Sequence, residues 1–276
     1  MNLVVQGPGI TPEHAEDLAR LAEAATAEPI APSAWRLRQA AQSPTIAAWC
    51  AAHRFDCAWV PDGRRFADLR LLAIDMDSTL ITIECIDEIG ALLGRKREIA
   101  SITEEAMRGE LGFADSLTQR VALLAGLEES ALARVYEDTL RLSPGAERLL
   151  EACKAADVKT LLVSGGFSFF TARLQARLGL DATLANELEI VGGRLTGRVV
   201  GPIVDAEAKA ERLRSVADAI GAAREQTLAV GDGANDLRML AAAGTSVAWR
   251  AKPVLRAAAT YPLDYADLDG VRNLFE

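Results

Sequence analysis

The chain has 276 residues, half of them hydrophobic, enough to fill one large core or two unequal ones. Its net charge of −9 excludes nucleic acid as an expected partner, because phosphate-backbone binding needs a basic face. No apolar run reaches the ~18 residues of a membrane helix, and Met1-Asn2-Leu3-Val4-Val5 lacks the charged start and long apolar stretch of a signal peptide. A cytoplasmic protein is expected, with no membrane partner.

The first zone, residues 1–69, reads as a small α/β unit. It has a strand at Leu3-Val4-Val5, a helix from Pro12 to about Ala25, an Ala-rich helical stretch from Thr45 to His53, and a strand at Cys57-Ala58-Trp59-Val60. Pro61-Asp62-Gly63 marks a turn, and Arg64-Arg65 a linker. The apolar run Leu71-Leu72-Ala73-Ile74 then reads as a buried parallel strand, opening into Asp75-Met76-Asp77-Ser78-Thr79. Residues 85–143 follow as an insertion of helical character, with Ile86, Ile89, Leu92 and Leu93, then Leu117, Val121 and Leu124, at helical spacing. Gly94, Gly112 and Gly126 punctuate it and Pro144 ends it. Emerging beside the loop at Asp75, it is expected to form a helical cap.

A second strand, Lys159-Thr160-Leu161-Leu162-Val163, runs into Ser164-Gly165-Gly166-Phe167, where a hydroxyl and glycine N–H groups could approach an anion ahead of a helix. Residues Glu187–Val191 and Arg194–Val200 around Gly192-Gly193 predict a hairpin, a minor flap on the same mouth. Lys209 lies in the helical stretch Ala206–Gly221, and a third strand, Thr227-Leu228-Ala229-Val230, ends in Gly231-Asp232-Gly233-Ala234-Asn235-Asp236. Residues 70–276 therefore predict a doubly wound, parallel-sheet α/β core.

Two carboxylates two residues apart at a strand end can divide nucleophilic or metal-binding work from proton transfer. The same pentapeptide also suits an acidic turn with Asp77 or Ser78 capping the next helix. Ser164-Gly165-Gly166 also suits a plain strand-to-helix turn, Lys209 a solvated helix lysine, and Asp232 and Asp236 turn or N-cap residues. The only two histidines, His14 and His53, precede the core, so a Ser–His or Cys–His nucleophile and a histidine-rich zinc site are not expected there. The four cysteines, Cys50, Cys57, Cys85 and Cys153, are scattered and read as reduced packing residues.

Strand-then-polar-loop recurs three times with a lone lysine between the second and third, and in that order the set resembles the haloacid-dehalogenase-like phosphohydrolases. D-M-D-S-T-L, I-x-x-E-C-I-D-E-I, A-M-R-G-E-L-x-F-x-x-S-L-x-x-R-V, S-G-G-F, A-N-E-L-E-I and G-D-G-A-N-D-L together resemble the bacterial phosphoserine phosphatases over roughly residues 70–260. The resemblance implies Asp75 as a nucleophile forming an aspartyl phosphate, and Asp77 as the acid and then base. It implies Mg²⁺ on the side chains of Asp75 and Asp232 and the main-chain carbonyl of Asp77. Ser164, Gly165 and Lys209 would hold phosphoryl oxygens, with Asn235 nearby and Asp236 anchoring Lys209 or a metal-bound water.

Glu84 would meet the substrate ammonium and Arg120 its carboxylate, with Met107 and Phe113 walling the pocket. In length and position, residues 1–69 resemble the ACT-like regulatory region of longer phosphoserine phosphatases; a packing or dimerisation module fits equally, and a homodimer through it is one expectation. Two other functions stay open: a same-fold phosphotransferase to an alcohol such as homoserine, and an amino-acid-binding regulator.

Overall fold

The computed structural model describes residues 1–107 and 110–276. Its N-terminal unit runs β1 (Asn2–Gln6), α1 (Pro12–Leu21), β2 (Thr26–Ala31), β3 (Ala34–Arg38), α2 (Pro44–Ala52) and β4 (Asp56–Val60). The four strands form an antiparallel sheet in the order β2-β3-β1-β4, a split βαββαβ arrangement. Leu3 and Val5 of β1 face the helices with Leu18, Ile46 and Cys50, while Val4, Ala58 and Val60 face the other way.

That second face is covered by the rest of the molecule: Val4 and Val60 share a core with Leu72, Val271, Leu274 and Phe275. Polar groups fix the docking. Both oxygens of Asp56 are used, Oδ1 accepting from Asp264 N at 2.7 Å and Oδ2 from Tyr265 N at 3.0 Å and Ala266 N at 2.8 Å. Gln6 Nε2 donates to Gly270 O at 3.1 Å, Asn273 Nδ2 donates to Gln6 Oε1 at 2.7 Å, and Arg36 Nη2 donates to Asn273 O at 3.0 Å.

Two features of this unit differ from the sequence reading. The first helix ends at Leu21 instead of near Ala25, because Glu23 turns into the left-handed region at φ 48° and Ala22 O accepts from Ala41 N. Residues 26–38 form a hairpin left unassigned by sequence; its outer strand, with Pro29, sits at the free edge, where proline is tolerated.

The main sheet begins with β5 (Leu71–Ile74), buried throughout. Four helices follow: α3 (Cys85–Leu92), α4 (Lys96–Met107), α5 (Phe113–Ala122) and α6 (Ser130–Arg134). The chain re-enters the core through α7 (Ala146–Ala155), β6 (Lys159–Phe167), α8 (Ser168–Leu178), β7 (Ala182–Val191) and β8 (Arg194–Val200). It finishes with α9 (Ala206–Ala219), β9 (Thr227–Gly231), α10 (Leu237–Ala242), β10 (Thr245–Trp249), α11 (Pro253–Ala258), β11 (Tyr261–Leu263) and a short helical tail, Leu268–Leu274.

The strand order is β11-β10-β9-β5-β6-β7-β8, parallel except for the β7–β8 hairpin. Successive strands depart from β5 in opposite directions, so its carboxyl end is the switch point where doubly wound sheets open a crevice. The expectation for the β7–β8 hairpin changes. Residues 187–200 are absent from the crevice wall; Leu195 exchanges main-chain bonds with Gly126 and Leu127 at 2.8 and 2.9 Å, so the hairpin braces the four-helix insertion from behind.

Candidate active site

The carboxyl ends of β5, β6 and β9 and the helices of the insertion enclose a cavity of about 510 Å³. Asp75 leaves β5 with its N–H on Val230 O at 3.0 Å, so its position is fixed by the sheet. The next residues cannot continue either strand or ordinary helix. Leu80 N bonds Asp75 O at 3.2 Å and Ile81 N bonds Met76 O at 3.0 Å, a widened turn that holds Ser78 at φ 56°. A serine in the left-handed region is strained, and the turn that enforces it brings Asp75 and Asp77 to one cavity.

Lys209 extends from α9, fully buried, and its Nζ donates to Asp75 Oδ1 at 2.6 Å and Asp236 Oδ1 at 2.8 Å. Asp236 Oδ2 accepts from Gly233 N at 3.1 Å and Asp232 N at 3.3 Å, so both its oxygens are engaged in holding the loop after β9. Although it directly precedes α10, its side chain does not cap that helix. Asp232 Oδ1 accepts from Thr79 Oγ1 at 3.1 Å. Among the described residues, no hydrogen bond reaches Asp75 Oδ2 or Asp232 Oδ2.

Electrostatics sharpen this arrangement. Carboxylate oxygens of Asp75, Asp232 and Asp236 lie within 4.8 Å of one another, and Lys209 is the ammonium that contacts the group. Burial, reinforced by the charge of Asp236, holds the Asp75 carboxyl well above its ordinary range and pushes Asp232 up to about 6. Burial alone would lower Lys209; Asp236 and Asp75 outweigh it and raise the ammonium. A buried all-oxygen set with surplus negative charge and an open oxygen on each of two members suits a hard divalent cation.

Asp77 lies beside this group. Its Oδ1 accepts from Cys85 N at 2.9 Å and its Oδ2 from Ser164 Oγ at 3.3 Å, while burial raises its pKa. Ser164 Oγ also accepts from Gly166 N at 2.8 Å. The loop needs its glycines: a Cβ on Gly166 would stand 2.6 Å from Asp77 Oδ2, and one on Gly165 would stand 2.8 Å from Phe113 Cζ. Gly165 is therefore where Phe113 of α5 rests on the core.

The rest of the lining comes from Glu84 and the insertion. Glu84 Oε1 accepts from Ser78 Oγ at 2.7 Å, and burial together with the Asp77 charge pushes its carboxyl up to about 7. Arg120 donates from Nε to Ser116 O at 3.2 Å; burial lowers its pKa, and Asp87 and Glu84 pull it back. Of the sequence-predicted residues, Asp75, Asp77, Glu84, Phe113, Arg120, Gly165, Asp232 and Asn235 line the cavity. Ser164, Lys209 and Asp236 lie behind it, fully buried, and the Met107 side chain lies outside the described residues. Sequence reading passed over Thr79, Cys85 N–H, Ser116 and Lys252. Thr79 stands four residues after Asp75, within its own motif, and was the most accessible of these to sequence.

Comparison with known proteins agrees with this geometry. The family model of haloacid dehalogenase-like hydrolases matches residues 72–241, and a domain of unknown function, DUF4072, matches residues 3–46. The phosphoserine phosphatase of Albidiferax ferrireducens is 49% identical over 217 residues, 77% of this chain and 92% of that one. A probable phosphoserine phosphatase from Vibrio cholerae, solved unliganded, superposes with TM-score 0.87 at 37% identity over 99% of this chain and 86% of its own. A substrate-bound phosphoserine phosphatase superposes with TM-score 0.72 at 36% identity, covering 75% of this chain and 99% of its own. Cavity, motif order and relatives agree: the chain belongs to the haloacid dehalogenase-like hydrolases and, within them, to the phosphoserine phosphatase family.

Proposed function

We propose that this chain hydrolyses O-phospho-L-serine to L-serine and phosphate, the closing step of a serine-forming route, through an aspartyl phosphate on Asp75. The observation that carries the reading is the two-sided cavity: Asp75, Asp77 and Asp232 on one wall, Glu84 and Arg120 on the other. A phosphomonoester dianion repels a carboxylate nucleophile, so the attack needs positive charge at the phosphoryl oxygens. Lys209 supplies one such charge beside Asp75. Mg²⁺ would be held by Asp75, Asp232 and the main-chain carbonyl of Asp77, and when bound it supplies further positive charge to the phosphoryl group.

Asp75 attacks phosphorus as the bond to the seryl oxygen breaks, and Asp77 protonates that oxygen. Burial raises the Asp77 carboxyl above its ordinary range, the direction that favours a proton donor. Asp77 then takes a proton from water as the water oxygen attacks phosphorus and the bond to Asp75 breaks, freeing the carboxylate and inorganic phosphate. Ser164 is bonded to Asp77 and to the Gly166 N–H, and its hydroxyl and the Gly165 N–H would hold phosphoryl oxygens. Asn235 adds a polar contact and Asp236 holds Lys209 in place. Glu84 takes the ammonium and Arg120 the carboxylate of the serine moiety, with Phe113 walling the same cavity.

We read residues 85–143 as a cap on a 70–276 core, and residues 1–69 as a separately built unit docked on that core. A homodimer through this unit would use the β2 edge or the helical face, since the other sheet face is covered. The four free cysteines support a reducing compartment such as the cytoplasm; among the described residues no helix is long and apolar enough to cross a membrane.

The test is release of inorganic phosphate and serine from O-phosphoserine in equal amounts, stopped by a chelator and restored by Mg²⁺. Phosphate that appears on an added alcohol instead of in solution would overturn hydrolysis in favour of transfer.

A further inference from the structure

Ser116 lies at the middle of α5, is 1% exposed, and belongs to the cavity wall. Its hydroxyl oxygen is buried and has no hydrogen-bond partner among the described residues. A helical serine commonly bonds back to the carbonyl one turn earlier, as Thr118 does here to Ala114 O at 2.8 Å, yet Ser116 Oγ makes no such bond. Ser143 Oγ is also buried and unpaired, but it lies off the cavity wall. Ser116 is thus the unpaired buried hydroxyl on that wall among the described residues.

Its neighbours say what it faces. Phe113, Ser116, Leu117 and Arg120 occur at positions i, i+3, i+4 and i+7 and all line the cavity, so one helix face carries them. The Arg120 Nε bond to the Ser116 carbonyl ties the guanidinium to the same turn and leaves its two terminal nitrogens, which have no acceptor among the described residues, for a ligand. A carboxylate taken end-on by those nitrogens still has lone pairs to offer, and a hydroxyl is a donor suited to one of them. The ammonium side is already served by Glu84, whose Oε1 is held by Ser78 Oγ at 2.7 Å.

We propose that Ser116 is a substrate-binding residue whose hydroxyl donates a hydrogen bond to the carboxylate gripped by Arg120. This deepens the phosphoserine reading and rests on it. The hydroxyl is left without a protein partner because its partner is the ligand, which restores the bond that burial denies it.

The test uses the full-length, Mg²⁺-loaded enzyme and two esters, O-phosphoserine and O-phosphoethanolamine, which keeps the ammonium and lacks the carboxylate. kcat and KM are measured separately for the parent, Ser116→Ala and Ser116→Thr, with Tm for each. Ser116→Ala should raise KM for phosphoserine about tenfold more than KM for phosphoethanolamine, the scale of one hydrogen bond to a charged group. Its Tm should hold or rise, since an unpaired hydroxyl is replaced by a better helix former. Ser116→Thr, which keeps the hydroxyl, should recover most of the lost selectivity.

A Ser116→Ala variant whose two KM values move together, or do not move, overturns the proposal, as does a fall in Tm accompanied by parallel losses on both esters. A parent enzyme that handles the two esters alike sinks the phosphoserine reading first, and this inference with it.

Discussion

The two walls of the cavity are built on opposite plans. On the core wall, Asp75, Lys209 and Asp236 arrive from a strand end, a helix and a loop, with Asp75 and Lys209 134 residues apart, yet they meet at 2.6–2.8 Å. On the cap wall, Glu84 is held by Ser78 six residues away, and among the described residues Arg120 is anchored to its own helix alone. The core wall is assembled by the fold and is nearly complete without ligand. The cap wall is local and leaves donors open. On the proposed roles, reaction chemistry would sit where geometry is most heavily determined, and recognition where a ligand must finish the bonding.

Variants of the two walls should therefore fail differently. Asp75→Asn should fold normally and lose at least about 10⁴-fold in kcat on every phosphate ester, as loss of a covalent nucleophile does; turnover within tenfold of the parent would remove Asp75 from that role. Asp77→Asn should lose about 10²–10⁴-fold in kcat while still binding Mg²⁺, because the proposed metal contact is its main-chain carbonyl. A calorimetric titration showing lost Mg²⁺ affinity with normal chemistry at saturating metal would reassign it.

Arg120→Ala and Glu84→Gln should lower kcat/KM for phosphoserine by about 10- to 150-fold and for p-nitrophenyl phosphate far less. If both esters fall in parallel, the cap wall is not a recognition surface and the contrast between the walls collapses. The smallest expected effect on turnover is that of Asp56→Ala, outside both walls. It strands the three N–H groups of Asp264, Tyr265 and Ala266, so stability should drop by about 3 kcal/mol with kcat/KM within twofold, read by denaturant melts beside a phosphate-release assay.

The core wall was legible in sequence because each of its residues stands at the end of an apolar strand or inside a strongly helical stretch. What sequence could not show is their mutual satisfaction. Asp236 reads as an N-cap, and its engagement with Lys209 depends on a contact 27 residues away. Ser116 stands in one of the motifs that carry the resemblance but drew no role from sequence, because one helical serine carries no periodic signal; its meaning comes from Phe113 and Arg120 flanking it on one face. The β2–β3 hairpin escaped because Thr26–Ala31 is an edge strand, with neither apolar alternation nor freedom from proline. Ala22 to Ala25 are good helix formers overridden by tertiary bonds such as Ala41 N to Ala22 O at 2.7 Å.

The seam between the N-terminal unit and the tail has a consequence for how the chain matures. Gln6 finds its partners Gly270 and Asn273 only 264 and 267 residues later. At a synthesis rate of about 5–20 residues per second, the first strand waits roughly 13–50 s before those partners emerge. Through that interval the sheet face carrying Val4, Ala58 and Val60 lacks the cover of Val271, Leu274 and Phe275. A nascent chain stalled short of residue 264 should therefore present an apolar sheet surface to chaperones, and the last dozen residues act as the latch that ends the exposure.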